Sequence, residues 1–237
     1  MTQVIVALDV DTIARLEELI AQLHGTITFY KIGLQLFTAH GKRAIDIVHK
    51  AGGKVFLDLK FLDIPQTVAN AVKEAGKLGV ESCSIHLSGG ADMVKAAMDA
   101  APRPKLWGVT VLTSMQAKDL KFLHPQARVT TMVRSLAHMG WVHGVDATIC
   151  SGQEVEYLRR TLKHLDMKFV TPGIRPAGGA AHDQKRTLTP GEAAKLGIDY
   201  AVIGRPITHA ENPLKAAQDI LAEMKAAATH SLEVPRK

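Results

Sequence analysis

Cysteine is nearly absent from the 237-residue chain: Cys83 and Cys150 are the only two, each inside an apolar stretch. That excludes a disulfide framework and fits buried thiols in a reducing cytosol, so a cytoplasmic protein is expected. No apolar run is long enough to cross a membrane. The opening Met1-Thr2-Gln3-Val4-Ile5 runs into a strand with neither a basic region nor a cleavage site, and no signal peptide is expected. Lys and Arg exceed Asp and Glu by 29 to 23, a formal charge of +6, yet they form no basic block and have no aromatic interleaving. A small anionic ligand explains the surplus with fewer assumptions than nucleic acid. The eleven histidines fall in no ligand spacing such as His-Glu-x-x-His, so no metal site is expected. Low-complexity segments, linkers and breaks in composition are missing too.

What is present, at 46% hydrophobic residues, is a regular alternation of two periodicities. Period-2 or short apolar runs predict strands at Val4–Asp9, Ile27–Ile32, Lys54–Lys60, Val80–Leu87, Leu106–Leu112, Gly144–Cys150, Lys168–Thr171 and Tyr200–Ile203. Helical stretches follow them at Thr12–Leu23, Leu34–Ala51, Pro65–Leu78, Ala91–Ala101, Val129–Met139, Gln153–Leu165, Thr189–Leu196 and Asn212–Ala228, the second stopped by Gly52-Gly53. Thr189 and Pro190 supply an N-cap and a first helical position. Trp107, Trp141 and the methionines read most simply as core. Eight such units predict a single (β/α)₈ TIM-barrel domain over residues 1–237, frayed from about 229. An open doubly wound sheet gives no special reason for eight equal units.

The chain is organised around Phe56-Leu57-Asp58-Leu59-Lys60-Phe61-Leu62-Asp63-Ile64-Pro65-Gln66-Thr67. Alternation puts Asp58 and Lys60 on one face of the third strand, about 7 Å apart along it, and Asp63 can turn back toward Lys60. Taken alone, the cluster reads equally as a structural ion pair with a helix-capping Asp63 or as a reactive array. Active sites of such barrels lie at the C-terminal ends of the strands. Asp9 ends the first strand on the face of Ile5 and Ala7, and Lys31 ends the second on the face of Ile27 and Phe29. Two Lys and two Asp thus converge on one mouth, which weakens the purely structural reading.

Across the mouth, the seventh strand leads into Thr171-Pro172-Gly173-Ile174-Arg175-Pro176 and the eighth into Gly204-Arg205-Pro206-Ile207-Thr208. Loops after these two strands often bind phosphate through backbone N–H groups, and Arg175 and Arg205 can add charge-assisted hydrogen bonds. Gly178 and Gly179 open a long loop carrying Gln184, a length typical of a ligand loop. Thr113, Ser114 and Ser151 follow strands without a His–Asp arrangement for nucleophilic catalysis. His86 ends the fourth strand and reads as a lining residue or a packed one.

These stretches resemble the bacterial-type orotidine 5′-phosphate decarboxylases. Val6-Ala7-Leu8-Asp9, Tyr30-Lys31-Ile32-Gly33, Asp58-Leu59-Lys60-Phe61-Leu62-Asp63-Ile64-Pro65-Gln66-Thr67, Thr171-Pro172-Gly173-Ile174-Arg175-Pro176 and Val202-Ile203-Gly204-Arg205-Pro206 match that family's motifs in order. Related sugar-phosphate barrels share Asp-x-Lys-x-x-Asp, whereas the Ile-Pro-x-Thr extension and the loop carrying Gln184 single this family out. The resemblance implies decarboxylation of orotidine 5′-phosphate to UMP, without a cofactor, in de novo pyrimidine biosynthesis. It implies Lys60 as proton donor to C6, Asp58 beside the departing carboxylate, and Asp63 and Thr67 donated into the partner's site of a homodimer. Lys31 would hold the charged array and bind ribose, and Asp9 would bind ribose hydroxyls. Arg175, Gln184, Gly204 and Arg205 would bind phosphate, with Thr113 and Ser114 near the base or ribose. Leu87 departs from the smaller residue expected after His86. The competing readings are a metal-dependent sugar-phosphate decarboxylase or aldolase, and a non-catalytic nucleotide-binding protein.

Overall fold

The computed structural model describes residues 2–121, 125–177 and 187–232, with side chains through residue 229. Eight parallel strands close into one barrel in sequence order: β1 (Gln3–Ala7), β2 (Phe29–Gly33), β3 (Lys54–Phe61), β4 (Ser82–His86), β5 (Lys105–Val109), β6 (Ala147–Ile149), β7 (Phe169–Pro172) and β8 (Tyr200–Ile203). β8 returns to β1 with Ile5 opposite Val202. The helices are α1 (Ile13–Leu23), α2 (Leu34–His40), α3 (Lys42–Lys50), α4 (Pro65–Lys77), α5 (Gly90–Met98) and α6 (Ala117–Lys121) in the first part of the chain. α7 (Val129–Val142), α8 (Gly152–Thr161), α9 (Pro190–Lys195), α10 (Arg205–Thr208) and α11 (Pro213–Leu232) complete the set.

Strand parity divides the core in two, because successive side chains leave a strand on opposite faces. Val4, Val6, Leu8, Tyr30, Ile32, Val55, Leu57, Cys83 and Ile85 pack outward against the helices. Ile5, Ala7, Phe29, Phe56, Trp107, Val109, Ala147, Ile149, Val170 and Val202 fill the interior. Four of the eleven aromatic residues meet there. Trp107 lies 4.4 Å from Phe56 and 4.7 Å from Tyr200, ring centre to ring centre, and Phe29 stands 6.0 Å from it. This plug fills the lower barrel and leaves the upper half, at the C-terminal strand ends, for smaller and charged side chains.

Several expected boundaries move, each for a local reason. The helix expected over Leu34–Ala51 is two: Gly41 takes φ +51 and donates its N–H to the Phe37 carbonyl, ending α2 before α3 begins. Gly144, at φ +83, makes a turn, so β6 begins later than expected. Ile27 precedes β2 and packs in the outer layer, so it does not share Lys31's face. α11 continues to Leu232, past the residue where fraying was expected. Trp141 is 39% exposed at the end of α7 and is not core.

Leu87, the departure from the expected pattern, opens a 3₁₀ turn (Leu87–Gly89) and is fully buried outside the barrel. A Cβ on Gly108 of β5 would lie 2.7 Å from Leu87 Cδ2, and one on Gly140 of α7 would lie 3.0 Å from its Cδ1. Two glycines therefore make the slot that the larger side chain fills. Leu87→Ala should cost about 2–5 kcal/mol in urea unfolding. Gly108→Ala should also destabilise, but by much less in the Leu87→Ala background; strictly additive losses would contradict this packing.

Candidate active site

Four charged side chains form a chain of contacts across β1, β2 and β3. Lys31 Nζ donates to Asp9 Oδ1 at 2.8 Å and stands 3.8 Å from Asp58 Oδ2. Lys60 Nζ donates to the same Asp58 oxygen at 2.9 Å. The other Asp58 oxygen, Oδ1, accepts from the Ser84 hydroxyl at 2.8 Å. Lys31 and Asp58 are each only 9% exposed. Burial pushes the Asp58 carboxyl up, but the Lys31 and Lys60 charges and the hydrogen bonds from Lys60 and Ser84 outweigh it, and the group is held below its ordinary value.

Lys60 reaches this position differently from the simple alternation expected of it. Between Leu57 and Phe61, β3 advances four residues while β4 advances two, from Cys83 to Ile85. Such a bulge re-aims side chains. Within it Lys60 takes φ +53, unusual for a residue with a Cβ. Its N–H donates to Ser84 Oγ at 2.9 Å in place of a ladder partner. Gly33 clears the space above β2: a Cβ there would lie 2.8 Å from Lys31 Nζ and 3.1 Å from Asp9 Oδ1.

Asp63 does not turn back to Lys60 within its own chain. It is exposed, its Oδ1 accepts from the neighbouring Ile64 N–H at 2.7 Å, and Ile64, not Asp63, occupies the N-cap of α4. Among the described residues no ion pair joins Asp63 to Lys60. Thr67 is likewise exposed, in the first turn of α4. Neither lines the cavity described next.

A cavity of about 550 Å³ opens above the aromatic plug. Asp9, Lys31, Asp58 and Lys60 line one side; Arg175, Gly204 and Arg205 line the other, and Thr113 and Ser114 edge it. Phe56, Leu112, Ile149, Val170 and Val202 make the apolar walls. Gly204 precedes the short α10, with its position 3.4 Å from Ala7 Cβ had it carried a Cβ of its own. The Arg175 N–H donates to the Leu188 carbonyl at 2.8 Å, drawing the two ends of the long loop together. Gln184, Gly178 and Gly179 lie outside the described residues. His86 is half-buried and does not line the cavity; burial and the Lys60 charge lower its pKa, against a smaller upward effect of Asp58.

Sequence reasoning missed Thr208, His209 and Ser84. Thr208 and His209 line the cavity with Arg205, and Arg15 fastens that corner by donating to the Thr208 carbonyl at 2.9 Å. Thr208 follows Arg205 by three residues, a spacing that puts both on one side of a helical turn. Ser84 shares inward parity with His86, and that parity was the available signal. Among the described residues no three His, Cys, Asp or Glu side chains converge to hold a metal ion.

The cavity is therefore polarised: an ordered charge array, an apolar middle, and a cationic end at Arg175 and Arg205. It suits an anionic ligand with a planar or apolar centre. The family model described as "Orotidine 5′-phosphate decarboxylase / HUMPS family" matches residues 2–220. The chain is 43% identical over 232 residues to the orotidine 5′-phosphate decarboxylase of Geobacter sp. (strain M21), covering 94% of this chain and 96% of that one. With the enzyme of the same name from Saccharophagus degradans the identity is 44% over 233 residues, covering 97% and 98%. The crystal structure of orotidine 5′-phosphate decarboxylase from Lactobacillus acidophilus superposes with a TM-score of 0.82 at 37% identity, covering 94% of this chain and 99% of that one. On its barrel, its charged mouth and this likeness along nearly its whole length, the chain belongs to the orotidine 5′-phosphate decarboxylase / HUMPS family.

Proposed function

We propose that the protein is an orotidine 5′-phosphate decarboxylase, a carboxy-lyase that forms UMP in pyrimidine biosynthesis. The observation that carries this reading is the Asp9–Lys31–Asp58–Lys60 array facing Arg175, Gly204 and Arg205 across one cavity. In the reaction the bond between C6 and the carboxylate breaks, CO₂ leaves, and the electron pair stays on C6. That pair lies in the ring plane, orthogonal to the π system, so resonance cannot spread it. The protein must stabilise it by fixed charge. Lys60, paired with Asp58, is the cation aimed at C6, and its ammonium then gives a proton to that carbon. Asp58 lies beside the departing carboxylate.

Lys31 and Asp9 hold the ribose end, Arg175, Gln184, Gly204 and Arg205 the phosphate, and Thr113 and Ser114 the base or ribose. Binding energy from the phosphate aligns the base and is expressed in turnover as well as affinity. The chain acts as a single domain, in the cytoplasm, as a homodimer in which Asp63 and Thr67 enter the partner's site. Supporting the shared site, Asp63 is flanked by bare apolar side chains: Leu62 is 53% and Ile64 67% exposed. Such exposure at a site's rim favours contact with another protein surface. No cofactor or metal enters this account.

Three outcomes test it. Lys60→Ala should lower kcat at least about a hundredfold while UMP still binds, measured by loss of orotidine 5′-phosphate absorbance and by calorimetry. Near-normal turnover would remove Lys60 as proton donor. Arg205→Ala should weaken UMP binding about tenfold to a hundredfold, as loss of a charge-assisted hydrogen bond does, with little effect on binding of unphosphorylated uridine. Mixing Lys60→Ala with Asp63→Ala chains under subunit exchange should restore part of the activity that each lacks; absence of any recovery would count against a shared site.

A further inference from the structure

We propose that Ser84 is a positioning residue for proton delivery, holding the Asp58 carboxylate and the Lys60 backbone with one hydroxyl. The inference rests on the decarboxylase reading above and extends its machinery onto β4. Ser84 is completely buried, in the interval where β3 bulges away from regular pairing with β4. Its Oγ accepts the Lys60 N–H at 2.9 Å and donates to Asp58 Oδ1 at 2.8 Å. A hydroxyl has one proton and two lone pairs, so it can do both at once. No other side chain of the described residues bridges the backbone of Lys60 to the carboxylate that holds its ammonium.

The arrangement makes one rigid loop of contacts: Lys60 Nζ to Asp58 Oδ2, Asp58 Oδ1 to Ser84 Oγ, and Ser84 Oγ back to Lys60 N. It acts on the two freedoms that matter for proton delivery. The Lys60 backbone sits at φ +53, a conformation that persists only when its surroundings over-determine it. The long Lys60 side chain, in turn, is aimed only as well as the carboxylate it rests on. Removing the hydroxyl takes away this partner of the part-buried Lys60 N–H and leaves the Asp58 carboxylate held through Oδ2 alone, with more freedom to turn. The ammonium then spends less time where C6 would be, while the phosphate and ribose contacts across the cavity stay as they are.

Ser84→Ala should therefore lower kcat about tenfold to a hundredfold, the size of effect expected from misplacing a reacting group by about 1 Å. KM for orotidine 5′-phosphate and the affinity for UMP should change by less than about threefold. Ser84→Thr keeps the hydroxyl and should recover most of the turnover. Ser84→Cys keeps the volume with a poor hydrogen-bonding group and should behave like Ser84→Ala. All four proteins are assayed well below their unfolding midpoints, so that lost stability is not read as lost turnover. If Ser84→Ala lowers the midpoint yet keeps kcat, or if kcat falls only together with a rise in KM and a matching loss of UMP affinity, the positioning role is overturned. If the unsubstituted protein itself fails to convert orotidine 5′-phosphate, the decarboxylase reading fails and takes this inference with it; a working parent with an unaffected Ser84→Ala sinks the inference alone.

Discussion

A carboxylate almost closed off from water keeps its charge only where cations and donors stand against it. Asp58 is so placed, with Lys60 at 2.9 Å, Lys31 at 3.8 Å and the Ser84 hydroxyl at 2.8 Å. Much else follows from satisfying that one group. Two lysines must come from two strands, so β2 and β3 must be neighbours in register, as they are with Gly33 opposite Asp58. The second lysine must come from the same strand as the carboxylate, which regular pleating would aim less closely, and the bulge in β3 supplies the adjustment. Asp9 balances the other side of Lys31. The result is an alternating run of opposite charges along the mouth.

The rest of the barrel makes room for that run. The aromatic plug of Phe29, Phe56, Trp107 and Tyr200 occupies the lower interior, so the cavity begins at the level of Ala7, Lys31 and Asp58. Glycine is used where atoms come too close for a Cβ: Gly33 over the Lys31 ammonium, and Gly108 and Gly140 around Leu87. In the first place the space serves a charge, and in the others a core side chain. Substitution should therefore report differently at the two kinds of position, in function at Gly33 and in stability at Gly108.

The barrel and one half of the site are legible in the sequence because both depend on parity. Ile5, Ala7 and Asp9 alternate inward, as do Phe29 and Lys31, so charged ends of strands can be told from apolar middles by alternation alone. The arginine side of the cavity is legible because Gly204-Arg205 follows the eighth strand, a position set by the chain order of a barrel. Other features depend on interactions between distant segments. The bulge at Lys60 answers a hydroxyl on β4, and nothing in residues 54–61 announces it. Asp63 is two residues from the end of β3, close enough to suggest a return to Lys60, yet its carboxylate is taken by the Ile64 N–H. The break at Gly41 is masked because apolar positions on both sides continue a helical rhythm across it. Leu87 looks like a misfit in a strand motif until the glycines of β5 and α7 are brought against it.

The central claim is that Lys31 and Lys60 overcome burial and keep Asp58 ionised. It is tested most directly by following the Asp58 carboxyl carbon by ¹³C NMR in aspartate-labelled protein, assigned by its loss in Asp58→Asn, while pH is lowered. A carboxyl group with a depressed folded-state value stabilises the fold above the ordinary range and loses that contribution only as pH falls through the depressed value. The account predicts an ionised signal that persists below pH of about 3.9, the ordinary aspartate value. Protonation well above it, as burial alone would produce, would contradict the account and leave Lys60 without the fixed anion that aims it.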